Sequence, residues 1–374
     1  MKNTIVFEIG SSTCKVGFAG KKNPEIIFPN VVAFPKFHEN QLNVLVGNET
    51  VDNRMMVHYY PEFPVEKGKL TIHEFKGKNL LNYVIDYAYE CLKEDPSQHP
   101  VLILDSPMNG SDQCLKNRMD LSKIFFEDYN VPYLYFGNQN SLALLYAGLD
   151  TGVVLDCGHS ATSCITIYEG YPIERNAIRL EYAGKDITEF LQKKVGYESG
   201  IDDFVIRKRF SLFDDFKKRN CYVSLAFDQE INDDNYAKGK SIIYEGHVLQ
   251  VEKEQFECAE ILFNPGLGLV KKGISEIIFD IINGSYSGIQ SQLAENVFIT
   301  GGTAQMTNFI QRIQNDLDNM STHLKFHVKM IPDPELAAWR GASKFGMISN
   351  FNQIAVSKKE YNLKGCEVIY KKCF

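Results

Sequence analysis

Thr4-Ile5-Val6-Phe7-Glu8-Ile9-Gly10-Ser11-Ser12-Thr13-Cys14-Lys15 is the stretch on which the reading of the fold turns. Thr4 to Phe7 are β-branched or aromatic and predict a buried strand. That strand delivers a carboxylate, Glu8, and then a turn at Gly10-Ser11-Ser12. Cys14-Lys15-Val16-Gly17-Phe18 alternates again and predicts the return strand of a hairpin. Glycine followed by small hydroxyl residues lets backbone N–H groups converge on an anion. Lys15 offers that anion a positive charge, and Glu8 can hold a hydrated divalent cation. The second glycine and the Lys-Ser/Thr pair of a P-loop are missing. Read alone, the stretch favours an ordinary hairpin with a polar turn.

Recurrence changes that reading. Gly152-Val153-Val154-Leu155-Asp156-Cys157-Gly158-His159-Ser160-Ala161-Thr162 again places an apolar strand, a carboxylate, a glycine and small residues in order. It continues into Cys164-Ile165-Thr166-Ile167-Tyr168, another return strand. Asn296-Val297-Phe298-Ile299-Thr300-Gly301-Gly302-Thr303 repeats the strand-to-glycine theme. Two such hairpins imply a duplicated α/β domain with one phosphate clamp in each half.

The 374 residues suffice for two cores. Hydrophobic residues at 44% and charged residues at 23% fit a water-soluble globular chain. No apolar run reaches membrane-span length, and Met1-Lys2-Asn3-Thr4 runs straight into a strand, so no signal peptide or membrane partner is expected. Nine scattered cysteines without a Cys-x-x-Cys pair fit a reducing compartment, cytoplasmic or nuclear. A net charge of −7 argues against direct nucleic-acid binding. The basic clusters Arg207-Lys208-Arg209 and Lys217-Lys218-Arg219 lie beside aspartates and predict a solvated helix face. His323 and His327 have helical metal spacing, but Leu324 to Val328 alternates like a strand, which argues against a metal site.

Between the hairpins, residues 36–63 are polar and irregular and predict a small inserted subdomain. Helical periodicity runs over Asn79–Leu92, and Val101–Leu104 is a central strand ending at Asp105-Ser106-Pro107. Ser111 can cap a helix reaching Phe126, Tyr133–Phe136 is a strand, and Gln139 opens a helix through Tyr146. Further on, Asp186–Val195 is a helix, 197–250 a larger insertion, and Ser241–Tyr244 with Val248–Val251 a strand pair turning at 245–247. Ile274–Ile282 is apolar on nearly all sides, Thr307–Leu317 is amphipathic, and Leu336–Met347 returns to the first half.

The order of these stretches resembles the actin family. Phe18-Ala19-Gly20, Phe28-Pro29, Pro64-Val65-Glu66, His99-Pro100-Val101-Leu102, Ile167-Tyr168-Glu169-Gly170, Phe263-Asn264-Pro265, Trp339-Arg340-Gly341 and Lys372-Cys373-Phe374 stand where actin has close counterparts. The resemblance covers the whole chain and implies an actin-like ATPase fold of two similar α/β lobes with a nucleotide cleft between them. It places the first lobe at 1–146 plus 340–374, with an insertion at about 35–64. The second lobe is then 147–339, with an insertion at about 184–271.

It further implies ATP or ADP with Mg²⁺ as cofactors. Gly10, Ser11, Ser12 and Lys15 would grip the phosphates from one lobe, and Gly158, His159, Ser160 and Ala161 from the other. Glu8 and Asp156 would hold the metal through water. Gln139 would orient the attacking water, Gly301, Gly302 and Thr303 would pass under phosphates and base, and Gly184, Lys185, Asp186 and Lys217 would approach the nucleoside. Four departures mark a divergent actin-related protein: Glu8 and His159 each where actin has aspartate, Ser163 where it has histidine, and Lys218 where it has a ribose-binding glutamate.

Fixed charge and positioning carry phosphoryl chemistry, so these changes imply slow or absent hydrolysis. Lys36-Phe37-His38-Glu39-Asn40-Gln41-Leu42-Asn43-Val44-Leu45 is shorter than actin's intersubunit loop, Leu267–Lys272 is a shorter, more basic plug, and the acidic start that a myosin track needs is missing. Long homopolymers are therefore not expected. The resemblance then implies a structural subunit whose partners are other proteins of a larger assembly, actin or other actin-related proteins among them. A polymerising cytoskeletal actin and a kinase or chaperone-type ATPase on the same fold stay open as alternatives.

Overall fold

The computed structural model describes residues 2–36, 43–51, 58–71, 74–75, 77–106, 112–199, 210–233, 239–244, 247–264, 266 and 271–373. Most of the short loop after Pro35, the Ser111 cap, the basic run at 207–209, the turn at 245–246, most of the 267–272 plug and Phe374 lie outside them. The chain forms two compact units. The first comprises Met1–Asp150, Ile167–Ala177 and Glu335–Phe374, and the second Thr151–Thr166 and Ile178–Pro334.

In the first unit, strand Ile5–Ile9 pairs antiparallel with Thr13–Phe18, with Glu8 opposite Lys15. On its other side it pairs in parallel with Val101–Asp105, and that strand in parallel with Tyr133–Asn138. Ile26–Pro29 and Val356–Ser357 close the two edges of this six-stranded sheet. Strands buried on both faces read as continuous apolar runs, as Val101-Leu102-Ile103-Leu104 does.

The second unit repeats the plan. Gly152–Cys157 neighbours its hairpin partner Thr162–Tyr168 on one side. On the other it pairs in parallel with Val297–Thr300, itself parallel to Val328–Met330. The expected duplication is thus present in strand order as well as in sequence.

Helices cover these sheets where apolar periodicity demands it. Leu80–Leu92 starts at Asn79, whose side chain accepts the Leu81 N–H at 2.9 Å, and buries Leu80, Leu81, Val84, Ile85 and Ala88. Lys93 in the left-handed region ends it. The helix expected to reach Phe126 is α-helical only over Asp112–Lys123 and continues as a π-turn, Ile124–Asp128. The wider turn lets three consecutive side chains, Ile124, Phe125 and Phe126, all enter the core.

Two further expectations need correction. The strand expected around Leu324–Val328 begins only at Val328, and His323 lies in a bend before it. Helix Ile274–Asn283 is not apolar all round, since Glu276, Phe279 and Asp280 are half-exposed and Asn283 is exposed.

A three-stranded sheet, Leu45–Val46, Val32–Pro35 and Tyr59–Glu62, forms a small separate sheet in the first unit. Its larger counterpart in the second unit holds helix Phe210–Asn220 and the hairpin Lys240–Tyr244 with His247–Val251. Arg312 ties it to helix Phe309–Met320, contacting Glu260 at 2.9 and 3.0 Å and the Ser224 carbonyl at 2.8 Å.

Helix Ala337–Phe345 lies against Gln139–Tyr146 with almost no gap. A Cβ on Gly341 would sit 1.7 Å from the Leu142 carbonyl oxygen. A backbone atom cannot rotate aside, so Gly341→Ala is expected to destabilise the first unit by about 3 kcal/mol, the upper end of overpacking costs. Urea denaturation followed by circular dichroism checks this, and a midpoint equal to wild type contradicts the packing described.

Candidate functional site

The first hairpin is closed by the Gly10 N–H donating to the Thr13 carbonyl at 3.1 Å. A Cβ on Gly10 would meet that same oxygen at 2.9 Å, so the tight turn favours glycine. Because Glu8 and Lys15 are register partners, their side chains meet, and Lys15 Nζ contacts Glu8 Oε1. The other carboxylate oxygen, Glu8 Oε2, is buried without a hydrogen-bond partner among the described residues. A buried carboxylate oxygen in that state suits a hydrated cation that the sequence assigns there. Cys14, in the return strand of the hairpin, is a core thiol whose pKa is raised by burial and by Glu8.

Beside the hairpin, the parallel strands end at Asp105 and Asn138. The Asn138 side chain caps the next helix, accepting the Asn140 and Ser141 N–H groups at 3.1 and 3.0 Å. This fixes Gln139 as the first helical residue, with its amide donating to Ser106 Oγ at 3.4 Å. Asp105 is held by Arg118 Nε at 2.6 Å, and Arg118 also reaches the Cys373 carbonyl at 3.0 Å.

In the second unit the same turn recurs, with the Gly158 N–H donating to the Ala161 carbonyl at 3.1 Å. Two other segments converge on it. The Gly158 carbonyl accepts the Gly184 N–H at 3.2 Å and the Thr303 hydroxyl at 2.7 Å, and the Lys185 N–H reaches the His159 carbonyl at 2.6 Å. Gly301 adopts φ +93°, and a Cβ there would stand 2.5 Å from Asp156 Oδ1 and 2.3 Å from the Cys157 carbonyl. Only glycine lets the chain pass the carboxylate at that distance. The structure therefore gathers Asp156, Gly158, His159, Gly184, Lys185, Gly301 and Thr303 into one cluster. Ser160 and Ser163 are buried, and Asp186 accepts the Ala183 N–H at 2.9 Å at the start of helix Gly184–Ser199.

Lys217 departs from the expected solvated face. It is buried, and its ammonium lies 2.7 Å from the Gly184 carbonyl, 2.8 Å from Thr188 Oγ1 and 2.7 Å from Asp214 Oδ1. Three acceptors match its three hydrogens. Lys218 is exposed and pairs with the other Asp214 oxygen at 2.7 Å. Burial works to raise the Asp214 carboxyl, and Lys217 and then Lys218 override it, holding it at about 2. Asp214 and Thr188 escaped the sequence reading. The spacing of Asp214 three and four residues before Lys217 and Lys218 was the available signal.

Burial first, then Lys217, pushes the His159 imidazole down to about 4 against the pull of Asp214. It is neutral at pH 7. Among the described residues no cluster of His, Cys, Asp and Glu forms a ready metal cage, and no helix is long and apolar enough to cross a membrane.

The unfolded chain takes up a proton on His159 near pH 6.5, whereas the fold resists until about 4. Stability contributed above pH 6.5 is therefore lost as pH falls through that window, on the order of 3 kcal/mol in total. His159→Gln should flatten the decline in urea midpoint between pH 7 and pH 5. An unchanged slope contradicts the burial assigned to the ring.

Compared with known protein families, the chain matches the family model described as Actin over residues 1–374.

Proposed function

From the chain's membership of the actin family, whose proteins generally bind ATP or ADP with a divalent metal, we propose that it is a Mg-nucleotide-binding structural subunit of a larger protein assembly. The observation that carries the nucleotide reading is the doubled hairpin: in each unit the penultimate residue of a strand is a carboxylate, and two residues on stands a glycine whose N–H closes the same tight turn. Successive main-chain N–H groups at such turns favour phosphate.

In this reading Gly10, Ser11, Ser12 and Lys15 of the first hairpin and Gly158, His159, Ser160 and Ala161 of the second contact phosphate oxygens. Glu8, with its unpartnered buried oxygen, and Asp156 receive waters of the cation. The bound cation supplies charge neutralisation at the phosphates. Gly301, Gly302, Thr303, Gly184 and Asp186 line the nucleoside side. Lys217 acts there by holding the Gly184 carbonyl and Asp214 in place, since three protein acceptors surround its ammonium.

Hydrolysis is proposed to be slow. Gln139 keeps its place at the helix start, but a neutral imidazole at position 159 supplies none of the fixed charge of a carboxylate. Ser163, buried, is not an imidazole. The exposed ammonium of Lys218 where the family carries a carboxylate favours a changed ribose contact. These departures support a divergent actin-related protein over a conventional actin. The partners proposed are other subunits of the assembly, including actin or related chains, with no direct nucleic-acid or membrane partner, in cytoplasm or nucleus.

Ligand that binds only the folded state raises its melting temperature by mass action. Mg-ATP at millimolar concentration should raise the melting temperature of wild type and raise it less for Lys15→Ala and Asp156→Ala. No shift, together with no nucleotide released on denaturing freshly purified protein, sinks the nucleotide reading.

The short loop after Pro35 removes anchoring side chains from one end of an actin-like subunit, and interface energy concentrates in such anchors. Purified protein in Mg-ATP and salt should stay in the supernatant on ultracentrifugation and release phosphate only slowly. Regular filaments by electron microscopy with rapid phosphate release would establish the rival reading, a polymerising actin with ATPase activity.

A further inference from the structure

Asn30 drew no attention as a sequence position, yet it is 1% exposed and makes two hydrogen bonds to the first hairpin. Its backbone N–H donates to the Ser12 carbonyl at 2.9 Å, and its side-chain Nδ2 donates to the Gly10 carbonyl at 2.7 Å. The two acceptors lie on either side of Ser11, so the bonds span the part of the turn assigned to phosphate. Its own Oδ1 is buried without a partner among the described residues. The amide is therefore oriented by the Gly10 bond alone, since the reverse orientation would set two acceptors face to face.

The segment bearing Asn30 is itself held on both sides. Pro29 is the register partner of Thr13 at the end of the hairpin's outer neighbour. The Val31 N–H donates to the Pro29 carbonyl at 3.0 Å, forming a tight elbow, and the Gly47 N–H donates to the Val31 carbonyl at 3.1 Å. Gly47, at φ +57°, admits no Cβ because Phe28 and Tyr87 would lie 2.8 and 3.0 Å from it. The elbow thus cannot follow a moving turn, and the turn is shaped to the elbow.

We infer that Asn30 is a positioning residue of the phosphate hairpin: by holding the Gly10 and Ser12 carbonyls it fixes the direction in which the N–H groups between them point. This rests on the nucleotide-binding reading. Carbonyls tied behind the turn leave its N–H groups turned the other way, toward an anion. Without the side-chain bond, the Gly10 peptide can rotate, and the turn must be ordered when phosphate binds. The consequence falls on affinity, beyond any loss of fold stability.

The test measures Mg-ATP affinity by titration calorimetry, at a temperature well below melting, for wild type, Asn30→Ala, Asn30→Asp and Val32→Ala. Asn30→Asp keeps the size and the backbone bond but puts an acceptor against the Gly10 carbonyl. Val32 is a fully buried apolar residue that pairs with Val46 and Glu62, and its truncation controls for destabilisation alone. Both Asn30 variants should bind about tenfold more weakly, the effect of one lost hydrogen bond, while Val32→Ala keeps wild-type affinity. Hydrogen exchange over residues 10–14 in nucleotide-free protein should be faster in Asn30→Asp than in wild type. Wild-type affinity and exchange in Asn30→Asp overturn the inference alone, as does equal weakening in Val32→Ala. Absence of binding by wild type overturns the nucleotide reading and takes this inference with it.

Discussion

One carbonyl oxygen, that of Gly158, organises the second unit. It accepts the Gly184 N–H and the Thr303 hydroxyl. A hairpin turn, a helix start and the glycine pair after strand Val297–Thr300 therefore meet at one atom. None of these segments has a long side chain at the meeting point, and none could. A Cβ on Gly184 would lie 2.3 Å from Thr303 Oγ1, and one on Gly301 would strike Cys157 and Asp156. The glycines stand where backbone must approach backbone, and the hydrogen bonds then define the distances. Convergence of this kind spends the Gly158 and Gly184 N–H groups and the Thr303 hydroxyl on holding the three segments together.

Charge is placed on this frame at some cost. Burying Lys217 is unfavourable unless its hydrogens are all satisfied, and the chain supplies three acceptors from two helices to do so. Asp214 answers both Lys217 and Lys218, so one carboxylate links a buried and an exposed ammonium. The neutral state of His159 follows from burial first, and then from the same cluster, since an imidazolium would add a positive charge beside Lys217.

Much of this was legible in the residues because period and punctuation agree. Alternation around Glu8-Ile9-Gly10 and Asp156-Cys157-Gly158 marks both hairpins, and Asn79 and Gln139 stand where capped helices begin. What was illegible depended on the third dimension. The inward turn of Lys217 contradicts its surroundings in sequence, since a run of Lys-Lys-Arg beside aspartates has the composition of a solvated face. The π-turn at Ile124–Asp128 was hidden because its apolar residues also satisfy an ordinary helix for one turn. His323 carries no strand because pairing with Val297–Thr300 starts only at Val328. Asn30 was silent because its partners are main-chain atoms, which leave no residue signature.

The two units solve one electrostatic problem by different means. Matching the turns Gly10–Thr13 and Gly158–Ala161 sets Glu8 against Asp156, Ser12 against Ser160 and Lys15 against Ser163. The first hairpin carries its own cation, facing its carboxylate across a single strand pair. The second has a buried hydroxyl at that place and takes its positive charge from helices outside the hairpin, through Lys185 and Lys217. A cation built into a hairpin keeps its geometry whenever the two strands pair. One borrowed from an insertion keeps it only while helices Gly184–Ser199 and Phe210–Asn220 stay docked to each other, which the buried Lys217 bonds enforce. The longer side chain of Glu8 fits the first arrangement. It reaches Lys15 with one oxygen and leaves the other without a hydrogen-bond partner among the described residues, which in the proposed reading lets a single carboxylate serve a resident ammonium and a visiting cation together.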